Sequence, residues 1–405
     1  MPLNSNQIRT RIVLIAAICV FSTQFGVTVI APLLGMLVTT SEITHYFLVS
    51  GLIISAFALA SLALNIPCGI ISDRVGRKPL IVTGLLIYAV SALLFPLSDS
   101  PYDWILVRAL QGAGAGFFFP AVAALLTDIT SPDERGHALS VYNMGLGLGL
   151  AVGPISGGIL FAIYGIFMPF LFCAAFALLS VILVLLFVQE PKRSTKAKTQ
   201  KNKEKRIGLT LDAKARKALM LCCAMVFFGK GVASVMSGLF SPFAVEDFGL
   251  SEELIGAILS VMFVTFTVLQ VGFNRLMTRI GEIYLSIAGL FLCACGLLIL
   301  AFAVSVLELF IMSVFIGAGI GAILLGTLTL ASNAAGEGQE GQVMGIYYTT
   351  FYASLGSIPI VCGALSDLFG ARLLFLGYAV LLVVLMVVVW KVGFLYAGKS
   401  QVKVR

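Results

Sequence analysis

Two basic side chains, Arg108 and Lys230, each lie inside a long stretch of apolar residues. A charge in hydrocarbon costs several kcal/mol unless it faces water or meets a group of opposite charge. Lys230 lies between Gly229 and Gly231, and no carboxylate in the same stretch can pair with it. We therefore expect Lys230 to contact an anionic ligand or to take part in proton coupling. The alternatives are a side chain that snorkels to the interface or a packed neutral amine.

A second charged group lies between two apolar stretches, where the sequence reads Ser72-Asp73-Arg74-Val75-Gly76-Arg77-Lys78-Pro79. Carboxylate–guanidinium pairs at a water–lipid boundary are partly desolvated and strong, yet they can still rearrange. Asp128 ends a later stretch at a similar depth and could accept a hydrogen bond from Arg77. We predict a conformational latch of Asp73, Arg74, Arg77, Lys78 and Asp128; the alternative is a loop that only fixes topology.

The elements that position these residues follow from composition. The chain has 405 residues, of which 60% are hydrophobic and 11% charged, and its mean hydropathy is +1.06. Soluble proteins carry about 25% charged residues, so a soluble enzyme is excluded. Continuous apolar runs predict helices rather than barrel strands. The fold class is therefore an all-α membrane protein with spans at approximately 12–37, 46–71, 80–97, 104–126, 138–163, 168–188, 218–245, 254–273, 284–304, 307–331, 343–365 and 373–395.

The orientation follows from the basic residues. If the N-terminus is cytoplasmic, 23 of the 26 Lys and Arg residues lie in cytoplasmic segments; the exceptions are Arg108, Lys230 and Arg372. This asymmetry places both termini in the cytoplasm of a multi-pass protein of the cytoplasmic (inner) membrane. The net charge of +7 then indicates contact with membrane lipids and no nucleic acid. The basic linker 189–217 is interpreted as a topology anchor near anionic lipid, with a regulatory role as the alternative.

An internal repeat divides the chain. Residues 205 positions apart match from the second span to the fifth, including Gly51 with Gly256, Arg74 with Arg279, Tyr142 with Tyr347 and Pro154 with Pro359. Six spans return the chain to its starting side, so residues 1–188 and 218–405 form two parallel six-helix halves. In such an architecture the substrate binds near the midplane while the halves rock in alternating access.

The fifth span carries Gly149, Gly153, Pro154, Gly157 and Gly158. Glycines leave a face on which a neighbouring helix can pack closely, and Pro154 removes a backbone hydrogen bond and bends the helix. We expect the eighth or eleventh span as the neighbour. The bend is either purely structural or a device that favours exchange over leak.

Together, the Asp73–Lys78 loop, Arg108 ahead of Gln111-Gly112, and the Gly-Pro-x-x-Gly-Gly pattern resemble the major facilitator superfamily. The last pattern looks like its antiporter signature, and the chain is similar to the twelve-helix drug:proton antiporters. The resemblance implies that the latch holds the halves together when the protein faces outward, with Asp73 near the start of the eleventh helix at Gly341–Gly345. It also implies a buried Arg108 that assists proton transfer, where the residues alone allow a snorkelling side chain.

The acidic residues qualify this resemblance. All 19 lie in loops or within about a turn of a span end, whereas many drug:proton exporters are expected to carry a buried acidic residue. Lys230 therefore favours neutral or anionic amphiphiles over cationic drugs. The candidates for the substrate cavity are polar residues within the spans: Gln24, Asn65, Gln111, Tyr142, Asn143, Gln270, Tyr347, Tyr348 and Tyr352.

We conclude from the sequence that the chain is a monomeric secondary transporter that exports small amphipathic molecules by proton antiport. The alternative within the class is a carrier of one metabolite, such as a sugar or organic anion, working as a uniporter or in uptake. A transport-inactive receptor or an intramembrane enzyme is the competitor from another class. His45 and His137 lie on opposite sides, and we find no catalytic or metal-ligating constellation, so neither an enzyme nor a cofactor is expected.

Overall fold

The computed structural model describes residues 5–40, 43–190, 213–334 and 340–400, and in these ranges the chain is helical without strands. This confirms the all-α membrane class, because twelve helices are long and apolar enough to span a bilayer. Residues 191–212 of the predicted basic linker lie outside the described residues. The helices are α1 Ser5–Thr28, α2 Tyr46–Val75, α3 Arg77–Leu94, α4 Pro101–Ile129, α5 Pro132–Tyr164, α6 Phe167–Phe187, α7 Ala213–Phe248, α8 Glu252–Ile280, α9 Glu282–Phe302, α10 Val306–Ala334, α11 Glu340–Phe369 and α12 Ala371–Ser400.

The first span is shorter than the sequence indicated. α1 ends at Thr28, and after a turn a short helix, Leu34–Thr39, completes the apolar run. Pro32 lies in this turn and has no N–H to continue the helix. The turn between the two helices packs against α7. There, Ser241 Oγ donates to Pro32 O at 2.7 Å and accepts the Gly35 N–H at 2.8 Å.

Equivalent glycine contacts recur 205 residues apart. A Cβ on Gly51 of α2 would collide with the carbonyl of Pro359 in α11, and one on Gly256 of α8 would collide with that of Pro154 in α5. Two further pairs follow the same spacing: Gly112 against Phe57 with Gly317 against Met262, and Gly84 against Gly114 with Gly289 against Gly319. The α1–α6 and α7–α12 groups therefore meet along a seam formed by α2 against α11 and α5 against α8.

The seam is closed at one membrane face and open at the other. We define the Tyr46 face as the face where α2 begins, and the Arg77 face as the one where α3 begins. Toward the Tyr46 face, Gly158 of α5 abuts the backbone of Glu252 in the other group. Toward the Arg77 face, Gly136 of α5 and Gly345 of α11 lie on the same helix faces as Pro154 and Pro359, and a Cβ on either would meet nothing within 4 Å.

Candidate functional site

The closure at the Tyr46 face is made by carboxylates that join the two helix groups. Asp367, near the end of α11, accepts the backbone N–H groups of Phe47 at 3.2 Å and Leu48 at 2.9 Å. These amides belong to the first turn of α2, where the helix dipole favours an anion. Tyr46 Oη donates to Glu246 of α7. Both contacts hold the start of α2 against the α7–α12 group.

A neighbouring ion pair on the same face stays within one group. Arg372 Nε of α12 donates to Asp247 of α7 at 2.7 Å, and the guanidinium lies 5.7 Å from the ring centroid of Phe243. Because both ends of this pair belong to the α7–α12 group, it braces that group without crossing the seam. The Asp247–Arg372 pair is therefore a suitable control for the Asp367 contact, which does cross the seam.

The glycine face of α5 packs differently from the sequence prediction. Gly149 abuts the backbone of α1, Gly153 abuts Thr28 of α1, and Gly157 abuts the backbone of Val29 just after α1. Their close neighbour is therefore neither the eighth nor the eleventh helix. Residues four apart share a helix face, which places these three glycines on one side. Pro154 and Gly158 lie on the next face and contact α8, as expected.

Pro154 also changes the hydrogen bonding of the seam. The N–H of Ile155, immediately after the proline, donates to Ser260 Oγ of α8 at 3.0 Å. The backbone N–H next to the proline is therefore hydrogen-bonded to a side chain of the α7–α12 group. The contact between α5 and α8 therefore combines close backbone packing with a hydrogen bond.

Arg108 is fully buried, so the snorkelling interpretation is wrong. The side chain is 1% exposed, donates to Gln111 Oε1 and lies 5.0 Å from the ring centroid of Phe57. Gln111 Nε2 in turn lies 3.5 Å from the carbonyl of Gly26 in α1. Gln111, which the sequence placed in the cavity, instead forms this buried pair. The Arg108 Nε has no hydrogen-bond partner in the described part of the chain.

Lys230 lies in the middle of α7 and is half-buried. Its Nζ lies 5.0 Å from the ring centroid of Phe351 in α11. Gly229 and Gly231 allow Ile323 of α10 and Tyr378 of α12 to approach α7 on either side. Across the described ranges, no carboxylate lies within salt-bridge distance of Lys230.

A row of aromatic rings extends along α11 from Lys230. The ring centroids of Tyr348 and Phe351 are 6.5 Å apart, and those of Phe351 and Tyr352 are 5.4 Å apart, all edge to face. Tyr352 lies beside Asn65 of α2 and near Tyr142 of α5. The row therefore crosses from the α7–α12 group to the α1–α6 group.

The other cavity candidates divide into two sets. Tyr347 is 2% exposed and shares a hydrogen bond of 3.1 Å with Thr327 of α10, so it belongs to the core of its group and its assignment to the cavity is wrong. Gln24 and Gln270 are half-buried on α1 and α8, and Asn143 is exposed on α5. The assignment of Gln24, Gln270 and Asn143 to the cavity stays a prediction.

The predicted latch pairs are present within the α1–α6 group. Arg77 Nη1 donates to Asp73 at 2.7 Å, and Arg77 Nε donates to Asp128 at 3.0 Å. Arg74 is exposed nearby. A Cβ on Gly345 of α11 would meet nothing within 4 Å, and the expected approach of Asp73 to the start of that helix stays a prediction.

Lys78 does not contact the ion pairs of Arg77 with Asp73 and Asp128. Its Nζ donates to the carbonyl of Leu185 in the last turn of α6 at 2.8 Å. Glu190 accepts the backbone N–H groups of Arg77 at 2.6 Å and Lys78 at 2.9 Å, and so caps the start of α3. Lys78 therefore anchors α6 to the loop instead of joining the latch.

Four residues of the site were missed as site residues in the sequence. Phe351 could have been found from its helical spacing to Tyr348 and Tyr352, which places all three on neighbouring positions of α11. Tyr46, Glu246 and Asp367 carry no local signal, because their partners are about 200 to 320 residues away in the chain.

A twelve-helix bundle with a seam open at one face and closed at the other is a secondary-transporter architecture. The sequence profile of the major facilitator superfamily matches residues 16–351 and 219–401. The chain therefore belongs to the major facilitator superfamily, and it is a multi-pass membrane transporter of small molecules, not an enzyme.

Curated relatives agree with this family, and a solved structure shares the fold. The chain is 29% identical over 379 residues to multidrug resistance protein 2 of Bacillus subtilis, covering 92% of this chain and 93% of that protein. It is 24% identical over 357 residues to the quinolone resistance protein NorA of Staphylococcus aureus, covering 86% and 88%. Its fold is similar to a bacterial homolog of the human lysosomal transporter Spinster in an inward-facing and occupied conformation. That match has a TM-score of 0.79 at 16% identity and covers 94% of this chain and 96% of that chain.

Proposed function

We propose that the protein exports small amphipathic molecules across the cytoplasmic membrane in exchange for protons. The observation that carries this proposal is the seam itself, which is open at the Arg77 face and closed at the Tyr46 face. The positive-inside rule assigns the Arg77 face to the cytoplasm, so the open seam would admit molecules from inside the cell. The printed names of two relatives, a multidrug resistance protein and a quinolone resistance protein, support a drug-like substrate.

In this proposal the halves 1–188 and 218–405 rock about the seam. The outward-facing state breaks the contacts of Asp367 and Tyr46 and brings the start of α11 onto Asp73, which is already paired with Arg77. A helix N-terminus stabilises a nearby carboxylate, so the latch would close the Arg77 face in that state. The contacts of Pro154 and Gly158 with α8 support α5 as part of the moving seam.

Proton coupling is assigned to the basic groups of the interior. Arg108 and Lys230 are the basic residues within the spans, and the described ranges place no carboxylate within salt-bridge distance of either. Arg108 with Gln111 would hold polar groups or water on the proton route, and Lys230 would sense the charge of the substrate. The protein is proposed to act as a monomer with both termini in the cytoplasm.

The test is proton movement in proteoliposomes that contain the purified protein and an internal pH dye. With an imposed proton gradient, we expect several unrelated amphiphiles to accelerate proton flux, while protein-free liposomes show none. Substrate flux without proton movement would contradict antiport. Activity with a single compound would contradict a multidrug exporter and favour the carrier of one metabolite.

A further inference from the structure

The interior of the described bundle carries positive charge without a carboxylate to balance it. Every described Asp and Glu lies in a loop or within about a turn of a helix end. Arg108 and Lys230 are the described basic residues that lie deep in the membrane spans, and Arg108 is already held by Gln111. The half-buried Lys230 is therefore the interior cation that is open to a ligand.

The contact that Lys230 makes inside the protein is a weak one for a half-buried ammonium. Its Nζ lies over Phe351 at 5.0 Å, and an aromatic face offsets only part of the cost of removing a charge from water. A carboxylate would offset much more, because a hydrogen bond between two ions is about twice as strong as one between neutral groups. The missing negative charge can be supplied by the transported molecule.

The rings beside Lys230 offer a surface for a flat apolar group. Tyr348, Phe351 and Tyr352 follow one another along α11, and Tyr348 is 49% exposed. Aromatic rings favour edge-to-face and offset contacts with other rings. A planar aromatic molecule could therefore pack on this row while its charged group meets Lys230.

An unused hydrogen-bond acceptor lies at the other end of the row. Asn65 Oδ1 is buried on α2 and, within the part of the chain that the structure describes, has no hydrogen-bond partner. The amide N–H of the same side chain is directed at the Tyr352 hydroxyl oxygen, so Oδ1 is the group left without a partner. A buried acceptor without a partner is costly, so a ligand that donates an O–H or N–H at this position gains affinity.

We propose that the site takes planar aromatic acids that carry a hydroxyl or N–H donor. The carboxylate meets Lys230, the ring packs on Phe351 and Tyr352, and the donor reaches Asn65 Oδ1. This inference rests on the proposed function, because it assumes that the substrate occupies the seam. It adds the charge and the shape of that substrate.

Direct binding to the purified full chain tests the proposal without depending on transport. Hydroxynaphthoate is titrated by calorimetry and compared with two analogues of the same ring, neutral hydroxynaphthamide and the donor-free methoxynaphthoate. We expect hydroxynaphthoate to bind at least about tenfold more tightly than the amide, which is the effect of one charge-assisted hydrogen bond in a partly buried site. It should also bind more tightly than methoxynaphthoate, which cannot donate to Asn65 Oδ1. Equal affinities for acid and amide in the unsubstituted protein would overturn the proposal.

Variants assign the preference to Lys230. Lys230→Met should abolish the preference for the acid and leave the amide affinity unchanged, while Lys230→Arg should retain it. Lys217→Met is the matched control, because Lys217 is an exposed lysine of the same helix. Equal weakening of acid and amide by Lys230→Met would contradict the charge contact. If the variant does not fold, retention of the preference in Lys230→Gln overturns the proposal and its loss supports it.

The two proposals fail in different ways. If hydroxynaphthoate does not bind but neutral amphiphiles still drive proton flux in proteoliposomes, the aromatic-acid inference is wrong and the exporter stands. If hydroxynaphthoate binds with the predicted preference but neither it nor any other amphiphile moves protons, antiport is wrong and the binding site stands.

Discussion

The contact of Asp367 with the start of α2 gives a prediction about the balance between the two conformations. Its carboxylate accepts two backbone N–H groups across the seam, at 3.2 and 2.9 Å. Asp367→Asn keeps the shape, removes the charge and leaves a single acceptor oxygen. Loss of one charge-assisted hydrogen bond and of the favourable helix-dipole interaction amounts to about 2 kcal/mol, which shifts the ratio of the two conformations about 30-fold. The shift should favour opening of the Tyr46 face.

Distances between spin labels measure this shift. Tyr102 of α4 and Leu307 of α10 are exposed on the Tyr46 face, one in each helix group, and labels on ketone-bearing unnatural amino acids leave the native cysteines unmodified. We expect Asp367→Asn to populate a longer distance between these labels. Asp247→Asn is the matched control, because it removes a carboxylate on the same face whose partner, Arg372, lies in the same helix group.

Two results would refute this reasoning. The first is an unchanged distance distribution in Asp367→Asn, which would show that the contact does not hold the seam. The second is an equal shift in Asp247→Asn, which would attribute the effect to the charge of the whole face.

Three further predictions concern the loop and the seam. Asp73→Asn should lower turnover about tenfold, the effect of about 1.4 kcal/mol, while folded protein remains in the membrane; unchanged turnover in proteoliposomes would remove the latch. Gly256→Ala should destabilise by about 1–3 kcal/mol because its Cβ collides with Pro154, whereas Gly272→Ala, which meets nothing within 4 Å, should be neutral or stabilising in thermal melts. Glu190→Gln should cost about 1 kcal/mol of stability by weakening the cap of α3, without changing ligand affinity; a changed affinity would contradict a purely capping role.

The parts of the fold that depend on local composition could be predicted from the sequence. Continuous apolar runs predict helices wherever the hydrocarbon leaves no partner for backbone groups, and the twelve spans follow. The contact of Arg77 with Asp128 could also be predicted, because Arg77 begins one span and Asp128 lies at the end of another on the same membrane face. The break after Thr28 was missed because the turn around Pro32 is as apolar as its flanks.

The parts that depend on tertiary neighbours could not be predicted. A glycine face shows that some helix packs closely but does not name it, so Gly149 and Gly153 were assigned to the wrong neighbour. Tyr347 and Tyr348 are adjacent and chemically alike, yet the first joins the core and the second is 49% exposed. Their difference is set by the rotation of α11, which only the packed bundle fixes.

The central claim is that the resting protein opens to the cytoplasm at the Arg77 face. The most direct test is labelling of Gly345→Cys by a membrane-impermeant maleimide in vesicles of known orientation. The account predicts rapid labelling in inside-out vesicles and none in right-side-out vesicles, with Leu307→Cys on the Tyr46 face giving the opposite pattern. Labelling of Gly345→Cys from the outside, or protection of it from both sides in the resting protein, would contradict the account.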